Sequence, residues 1–301
     1  MSDLSFITDP SKWKDITPDM YDEINAQIEQ TFEEGCHGNC ESCSSDCDSR
    51  QESNQLPKFA KRMYAVNGGK GGAGKSTVTV LLANALAKRG LKVGVLDCDI
   101  YTAAIPHMMG LTGPVHRAKG GGPLPGVTES GIEVMSVDLI LEKPMDPILW
   151  PGVDAFNILN YLYTSTEWGE LDVMLLDMPS GCGDIPLDLY TTFPVDGTIA
   201  VTNPGTLSVE AVQRCINLCM MLMSPTIAYV ENKSFAAEPV STEAYVLPKG
   251  CTNVALPLSG NLTAFGDDGT LGKCTCPELE PIVERIATAV KVSTEKKTTK
   301  K

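Results

Sequence analysis

The sequence has few basic residues for its length. Its 301 residues contain 24 Lys and Arg against 38 Asp and Glu, which gives a formal net charge of −14. Such an excess of negative charge repels phosphate backbones and anionic lipid headgroups unless basic residues are concentrated in one place. The one concentration lies in the final residues, at Lys296, Lys297, Lys300 and Lys301. We therefore expect binding neither to nucleic acid nor to a membrane.

Long apolar runs and a secretory leader are also lacking. No stretch approaches the roughly 18–20 uninterrupted apolar residues that cross a bilayer. The opening residues 1–15 do not show the basic-then-apolar order of a signal peptide, so we expect a cytoplasmic protein. Because cytoplasmic thiols stay reduced, the 11 cysteines do not indicate a disulfide framework. A tight cluster of them indicates a metal instead.

The composition along the chain divides it into three predicted regions. Residues 1–60 form a polar, acidic extension that contains a cysteine-rich loop. Residues 61–292 hold the apolar segments and are predicted to form the main domain. Residues 293–301 are rich in lysine and are predicted to be a disordered tail. With 43% hydrophobic residues the chain has enough apolar side chains for a substantial core.

Short apolar runs alternate with helical segments through residues 61–292. Near-continuous apolar strands between helices are typical of a sheet that is covered on both faces. The pattern predicts an α/β fold with a mostly parallel sheet and a long loop over residues 110–131. The predicted strands are 63–68, 92–97, 132–137, 172–177, 197–202, 226–231 and 252–257.

The strongest motif lies directly after the first strand. It matches G-x-x-x-x-G-K-[ST] and is followed by a helical run, which is the context a phosphate-binding loop requires. Its glycines let backbone N–H groups converge on phosphate oxygens, and the helix N-terminus adds a positive dipole end. Lys75 would contact the β- and γ-phosphates, and the Ser76 hydroxyl would ligate Mg²⁺. The predicted nucleotide site comprises Gly69, Lys70, Gly71, Gly72, Ala73, Gly74, Lys75, Ser76 and Thr77.

Two aspartates follow strands that would end beside this loop. Asp177 ends the strand 172–177, and Asp99 comes two residues after the strand 92–97. Carboxylates at the carboxyl ends of parallel strands face the ligand crevice. Each aspartate alone could be a helix cap, but their order relative to the loop predicts that both belong to the phosphate site.

The run from Lys70 to Thr77 resembles the deviant Walker A loop of the class that contains MinD, ParA, Mrp and the nitrogenase iron protein. The resemblance implies a face-to-face homodimer in which Lys70 reaches the nucleotide of the partner subunit. It also implies that Asp99 orients or activates the attacking water and that Asp177 holds Mg²⁺ through water. The backbone of Gly181 would then sense the γ-phosphate.

Four further runs are similar to the Mrp/ApbC family of ATP-dependent iron–sulfur cluster carriers. They are DCDIYTAAIP, WGELDVMLLDMPSGCGDIPLDL, AVTNPGTLSVEAV and YVENKSF. The likeness covers about residues 62–260. It implies that Asn232 reads the adenine of ATP, that Pro204 borders the base, and that the partners are apo iron–sulfur client proteins.

A cysteine cluster precedes the phosphate-binding loop. Its spacing is C-x3-C-x2-C-x3-C in a segment rich in Ser, Gly, Asn and Asp, at Cys36, Cys40, Cys43 and Cys47. Four thiolates suit a [4Fe–4S] cluster or a zinc ion equally on ligand count. Because similar leaders occur in some members of the resembled family, the iron–sulfur cluster is the favoured prediction. Zinc and redox or disulfide chemistry stay open, since the ferredoxin spacing is not reproduced.

The chain departs from the resembled family after Asn232. Family members carry a C-x-x-C there that holds a cluster shared by two subunits, whereas the next cysteine here is Cys251. Cys251, Cys274 and Cys276 are possible substitutes. The remaining cysteines are predicted to pack, namely Cys98, Cys182, Cys215 and Cys219. The alternative for Cys215 and Cys219 is metal binding, and for Cys98 and Cys182 it is sensing of the nucleotide state.

Three functions are therefore considered. The first is an ATP-hydrolysing iron–sulfur carrier or scaffold that supplies apoproteins. A positioning ATPase of the MinD/ParA type would need a basic amphipathic terminal helix or a basic DNA-binding surface, and neither version explains the cysteines. An ATP-driven electron donor with a low-potential cluster is the third.

Overall fold

The computed structural model of the chain describes residues 56–119, 121–141, 148, 152–236 and 247–298. All of them belong to one unit, Asn54–Lys301. The described strands are β1 (Ala60–Asn67), β2 (Val93–Asp97), β3 (Gly126–Val127), β4 (Glu133–Met135), β5 (Leu171–Asp177), β6 (Gly197–Thr202), β7 (Thr226–Ser234) and β8 (Thr252–Pro257). The described helices are α1 (Lys75–Lys88), α2 (Ile105–Met108), α3 (Gly152–Ser165), α4 (Asp184–Thr192), α5 (Thr206–Met221), α6 (Gly260–Asp267) and α7 (Glu280–Thr298).

The described strands form one sheet in the order β3-β4-β2-β5-β1-β6-β7-β8. Strand β3 pairs antiparallel with β4, and the other neighbours in this order pair parallel. The predicted α/β fold with a mostly parallel sheet is thus confirmed. Crossover helices are required to return the chain to the start of each parallel strand.

Helices cover the sheet on both faces, because alternate side chains of a strand point to opposite sides. Tyr64 and Val66 of β1 join the apolar core that contains residues of α1 and α7. The alternate residues Met63 and Ala65 point to the other side and join the core that contains residues of α3 and α4. The central strands are therefore buried on both sides, and all five residues of β2 are buried.

Some boundaries differ from the prediction. The two-residue strand β3 lies within the segment 110–131 that was expected to be a loop, and it pairs with β4. Helix α7 continues to Thr298, where a disordered tail is predicted from residue 293. No Gly or Pro follows Pro281 to end this helix, and the hydroxyls of Ser293 and Thr294 donate to helix carbonyls one turn back.

None of the helices in the described part of the chain has both the length and the apolar character needed to span a bilayer.

The sheet order decides where the candidate site lies. Strand β5 sits between β2 and β1, with Asp97 of β2 paired to Asp177 and Val66 of β1 also paired to Asp177. The carboxyl ends of these three strands therefore meet at one edge, directly beside the loop that leaves β1.

Candidate nucleotide-phosphate site

The glycine-rich loop joins β1 to the N-terminus of α1. Gly72 and Gly74 have φ angles of 78° and 92°, in the left-handed region that side chains with a Cβ rarely adopt. A Cβ at Gly74 would also lie 2.1 Å from the amide nitrogen of Asn232. The loop therefore requires glycine at this position for both its backbone conformation and its packing.

The loop offers hydrogen-bond donors without acceptors. Within the described residues, no backbone N–H from residue 70 to residue 76 has a hydrogen-bond acceptor. The Lys75 side chain is only 6% exposed, yet its ammonium likewise has no hydrogen-bond or ion-pair partner in the described part of the chain. Unpaired N–H groups at a helix N-terminus beside a buried cation fit a phosphate group.

Asp177 lies at the end of β5 and contacts α1 through two hydroxyls. Ser76 donates a hydrogen bond of 2.6 Å to one carboxylate oxygen, and Thr79 donates one of 2.8 Å to the other. Burial raises the pKa of Asp177 to about 6, against the opposing effect of these two hydroxyls and of Lys75. A serine hydroxyl beside a carboxylate is a donor set that suits Mg²⁺, so the predicted metal residues fit the ion.

Asp97 orders the segment that carries Asp99. Its buried carboxylate accepts hydrogen bonds from the backbone N–H groups of Asp99 at 3.2 Å, Ala104 at 3.2 Å and Ile105 at 3.3 Å. The Ser136 hydroxyl donates a further one at 3.2 Å. Burial raises the pKa of Asp97 well above its ordinary value, and the charge of Asp177 adds to the rise. Asp97 thus holds the turn after β2 in place, while Asp99 itself is partly exposed.

The segment after β5 returns to the start of the glycine-rich loop. Gly181 has a φ of 92°, and its N–H donates a 3.0 Å hydrogen bond to the carbonyl of Gly68. The predicted γ-phosphate sensor is therefore next to the loop, with its N–H group bonded to protein in this arrangement.

Asn232 contacts the same loop from β7. Its side-chain amide donates to the carbonyl of Ala73 at 2.9 Å, and its side-chain oxygen accepts the N–H of Lys233 at 2.9 Å. Lys233 has a φ of 59° and its ammonium donates to the carbonyl of Gly72 at 2.9 Å. Both side chains fasten the loop to β7.

Three residues of the site were not predicted, namely Asp97, Thr79 and Lys233. Thr79 follows Ser76 by three positions on α1 and so lies on the same helix face. This spacing from the P-loop serine is the sequence signal that would have identified it. Lys233 has no motif of its own, because its contact with Gly72 depends on the backbone turn at the end of β7.

The other predicted residues are placed differently. Lys70 is exposed and forms no hydrogen bond or ion pair within the described residues. The predicted cluster ligands Cys36, Cys40, Cys43 and Cys47 lie outside the described residues. Among the described residues, no three or more His, Cys, Asp or Glu side chains are grouped to hold a metal ion, so Cys251, Cys274 and Cys276 form no such group.

The packing expected for the other cysteines is confirmed for three of them. Cys98, Cys215 and Cys219 are buried, whereas Cys182 is exposed. A thiol that was expected to pack is thus open to solvent, because the segment after β5 runs along the surface.

Comparison with known proteins identifies relatives of this fold and site. A protein-family model described as "ParA: NUBPL iron-transfer P-loop NTPase" matches residues 60–257. A protein of Methanococcus maripaludis named iron-sulfur cluster carrier protein is 40% identical over 210 residues, which cover 66% of this chain and 73% of that protein. A protein of the same name from Methanocaldococcus jannaschii is 38% identical, with 66% and 72% covered.

Solved structures show the same architecture. The nucleotide-binding protein of Archaeoglobus fulgidus in complex with ADP is 28% identical with a TM-score of 0.57, and the match covers 71% of this chain and 89% of that one. The MinD cell division protein of Aquifex aeolicus is 20% identical with a TM-score of 0.51, covering 75% and 95%. The second likeness shows the fold alone.

Proposed function

This chain belongs to the NUBPL iron-transfer P-loop NTPase family, and on that premise we propose that it binds and hydrolyses ATP to load or release iron–sulfur clusters for apoproteins. The observation that carries the proposal is the convergence of the unpaired loop N–H groups, Lys75 and the Ser76–Asp177 pair at one edge of the sheet. This site lies inside the matched residues, in a chain whose relatives are named iron-sulfur cluster carriers.

In the proposed reaction the described residues of the site have separate tasks. The loop N–H groups and Lys75 would bind the phosphates, and Ser76 and Asp177 would hold Mg²⁺, with Thr79 orienting the carboxylate. Bound Mg²⁺ neutralises charge on the phosphate oxygens. Asp99, positioned by Asp97, would orient the attacking water.

Binding of ATP would engage two further residues, Gly181 in the same chain and Lys70 across a dimer. For Gly181 to donate its N–H to a γ-phosphate, it must give up its 3.0 Å bond to the Gly68 carbonyl. Lys70 is exposed and unpaired within the described residues, so it is free to act on the nucleotide of a second copy. The homodimer is thus a part of the proposal.

The cluster is proposed to be bound by Cys36, Cys40, Cys43 and Cys47 as a [4Fe–4S] centre, with zinc as the alternative. Thiolate ligation requires reduced cysteines, which the cytoplasm maintains. The metal site and the nucleotide site are separate sets of residues, so they can be tested independently.

The test combines metal analysis with transfer. The anaerobically purified full chain is expected to contain iron and acid-labile sulfide, both lost in the double variant Cys40→Ala/Cys43→Ala while ATP affinity is unchanged. Transfer to an apo [4Fe–4S] ferredoxin should be accelerated by ATP in the parent and not in Lys75→Ala. Stoichiometric zinc without sulfide would overturn the cluster assignment, and ATP-independent transfer would overturn the coupling.

A further inference from the structure

Two cysteines from different elements meet beside the nucleotide site. Cys182 lies in the segment after β5, and Cys215 lies on α5, 33 positions further along the chain. Their sulfur atoms are 2.8 Å apart, about 0.8 Å more than the length of a disulfide bond. Cys182 is exposed and Cys215 is buried, so a soluble oxidant reaches the pair through Cys182.

The surroundings of the two thiols differ in a way that suits oxidation. The hydrogen bond with Cys215 lowers the pKa of Cys182 against the effect of burial, and the positive charge of Arg214 lowers it further. The same hydrogen bond and burial raise the pKa of Cys215. Cys182 is therefore the thiol of the pair that loses its proton more readily, and Cys215 is the one that keeps it. Thiolates rather than thiols attack oxidants.

We propose that Cys182 and Cys215 are a modification site at which hydrogen peroxide forms a reversible intrachain disulfide. In the first step the Cys182 thiolate attacks one peroxide oxygen, the O–O bond breaks, and the departing hydroxide leaves as water after protonation. In the second step the Cys215 sulfur attacks the sulfur of the resulting sulfenic acid. The S–O bond breaks, and the hydroxide leaves as water with the proton of Cys215. The two sulfurs lose two electrons in total, and one peroxide becomes two waters.

The cross-link would tie the segment after β5 to α5 in its present position. There Gly181 donates its N–H to the Gly68 carbonyl at 3.0 Å, and the Cys215 sulfur lies 3.5 Å from the Gly181 carbonyl oxygen. Helix α5 packs tightly on the loop, since a Cβ at Gly69 would lie 2.0 Å from the backbone of Ala211. A disulfide would therefore keep the Gly181 N–H from a γ-phosphate. This inhibition rests on the function proposed above, whereas formation of the disulfide does not.

Cys219 provides a matched control. It lies one turn after Cys215 on the same helix and is also buried, but its thiol donates to the Thr198 hydroxyl at 3.4 Å. Trypsin separates the relevant cysteines, because the peptide 120–214 carries Cys182 alone and the peptide 215–233 carries Cys215 and Cys219. The variants Cys215→Ala and Cys219→Ala then identify which thiol of the second peptide is linked.

The experiment treats the reduced full chain with hydrogen peroxide, blocks free thiols with N-ethylmaleimide, and analyses tryptic peptides by mass spectrometry. We expect a link between the two peptides in the parent and in Cys219→Ala, and none in Cys215→Ala or Cys182→Ser. Dithiothreitol should remove the link. A link that persists in Cys215→Ala, or its absence from the parent, overturns the proposed site.

ATP hydrolysis measured on the same samples tests the consequence. Oxidation should lower the ATP hydrolysis rate at least fivefold in the parent and in Cys219→Ala. It should leave the rate nearly unchanged in Cys215→Ala and Cys182→Ser. A linked parent that hydrolyses ATP as fast as the reduced form overturns the inhibition. If the reduced parent does not hydrolyse ATP at all, the proposed function fails while the peptide map still decides the disulfide.

Discussion

At the scale of single residues, the two lysines of the loop occupy opposite environments. Lys75 is 6% exposed and folds back over Gly68, where a Cβ would lie 3.2 Å from its side chain, whereas Lys70 is exposed. In the proposed function the buried lysine would bind phosphate within its own chain, and the exposed one would act on the nucleotide of a second copy.

The first prediction separates these roles. Lys75→Ala should abolish most ATP binding, because it removes the only cation buried beside the unpaired N–H groups in the described site. Lys70→Ala should leave ATP affinity within about twofold and reduce turnover at least tenfold, since it would act on charge that develops in the transition state. Titration calorimetry and steady-state hydrolysis measure the two effects. Unchanged turnover in Lys70→Ala would mean that this lysine has no role in trans.

The second prediction concerns Asn232. We expect at least a tenfold preference for ATP over GTP. After its bonds to Ala73 and Lys233 the Asn232 amide keeps one N–H and one oxygen lone pair for the base, and a wrong base would leave these unpaired at a cost of about 1–3 kcal/mol. Asn232→Ala should bind both nucleotides more weakly, since it also loses the bond to the Ala73 carbonyl, with a ratio near one. Lys233→Met is the control that weakens the loop contact and keeps the preference. Equal affinities in the parent would refute base reading by Asn232.

At the scale of elements, the loop and α5 are in direct backbone contact. A Cβ at Gly69 would lie 2.0 Å from the Ala211 carbonyl carbon, while one at Gly71 would meet no atom within 4 Å. Helix α5 therefore packs against the loop so closely that only glycine fits at position 69 without displacing one of them.

The third prediction follows from this contrast. Gly69→Ala should lower the free energy of unfolding by about 1–3 kcal/mol, the usual cost of overpacking. Gly71→Ala should change it by less than about 0.5 kcal/mol. Urea denaturation of both variants decides the matter. Equal stabilities would show that the loop and α5 can move apart freely.

The fourth prediction concerns the link between β1 and β5. Lys61 forms a 2.8 Å ion pair with Asp172, which also accepts the N–H of Lys92 at 2.9 Å. Burial acts to raise the pKa of Asp172, but these two partners outweigh it and the pKa lies below its ordinary value of 3.8. Such a carboxylate stabilises the fold above its unfolded-state pKa and loses that contribution as the pH falls.

The parent should therefore be more stable than Asp172→Asn at pH 6, by up to about 1 kcal/mol for a partly exposed pair. The difference should shrink as the pH falls below about 4. Urea titrations at several pH values measure it, and a difference that grows on acidification would contradict the sign.

For the molecule as a whole, the proposed mechanism requires a second copy of the chain. Its exposed Lys70 reaches no acceptor among the described residues, and the proposed mechanism places that acceptor on a second copy. A two-fold dimer would supply each site with the other chain's Lys70.

The fifth prediction is complementation between inactive variants. A mixture of equal amounts of Lys70→Ala and Lys75→Ala should recover turnover up to about a quarter of the parent rate. Random pairing makes about half of the two-fold dimers mixed, and in each mixed dimer one of the two sites has both lysines. Parent turnover should also rise more than linearly with protein concentration below the dimer dissociation constant. A mixture that stays as inactive as its components, with a strictly linear parent, would contradict the dimer mechanism.

The features that depend on local order in the chain are predictable from its residues alone. The apolar runs of the central strands predict a parallel sheet, and β6 and β8 begin and end where the pattern predicts. The spacing of the loop from Gly69 to Thr77 points to a phosphate site, because its chemistry is carried by backbone N–H groups of consecutive residues. Both follow from neighbours in the chain.

Contacts between residues far apart in the chain could not be predicted in this way. The carboxylate of Asp97 collects donors from positions 99, 104, 105 and 136. Cys182 meets Cys215, and Lys233 reaches Gly72. These contacts depend on the strand order β2-β5-β1-β6-β7 and on how each segment turns after its strand. No periodicity or motif records that order, since it is chosen by the packing of the whole core rather than by neighbouring residues.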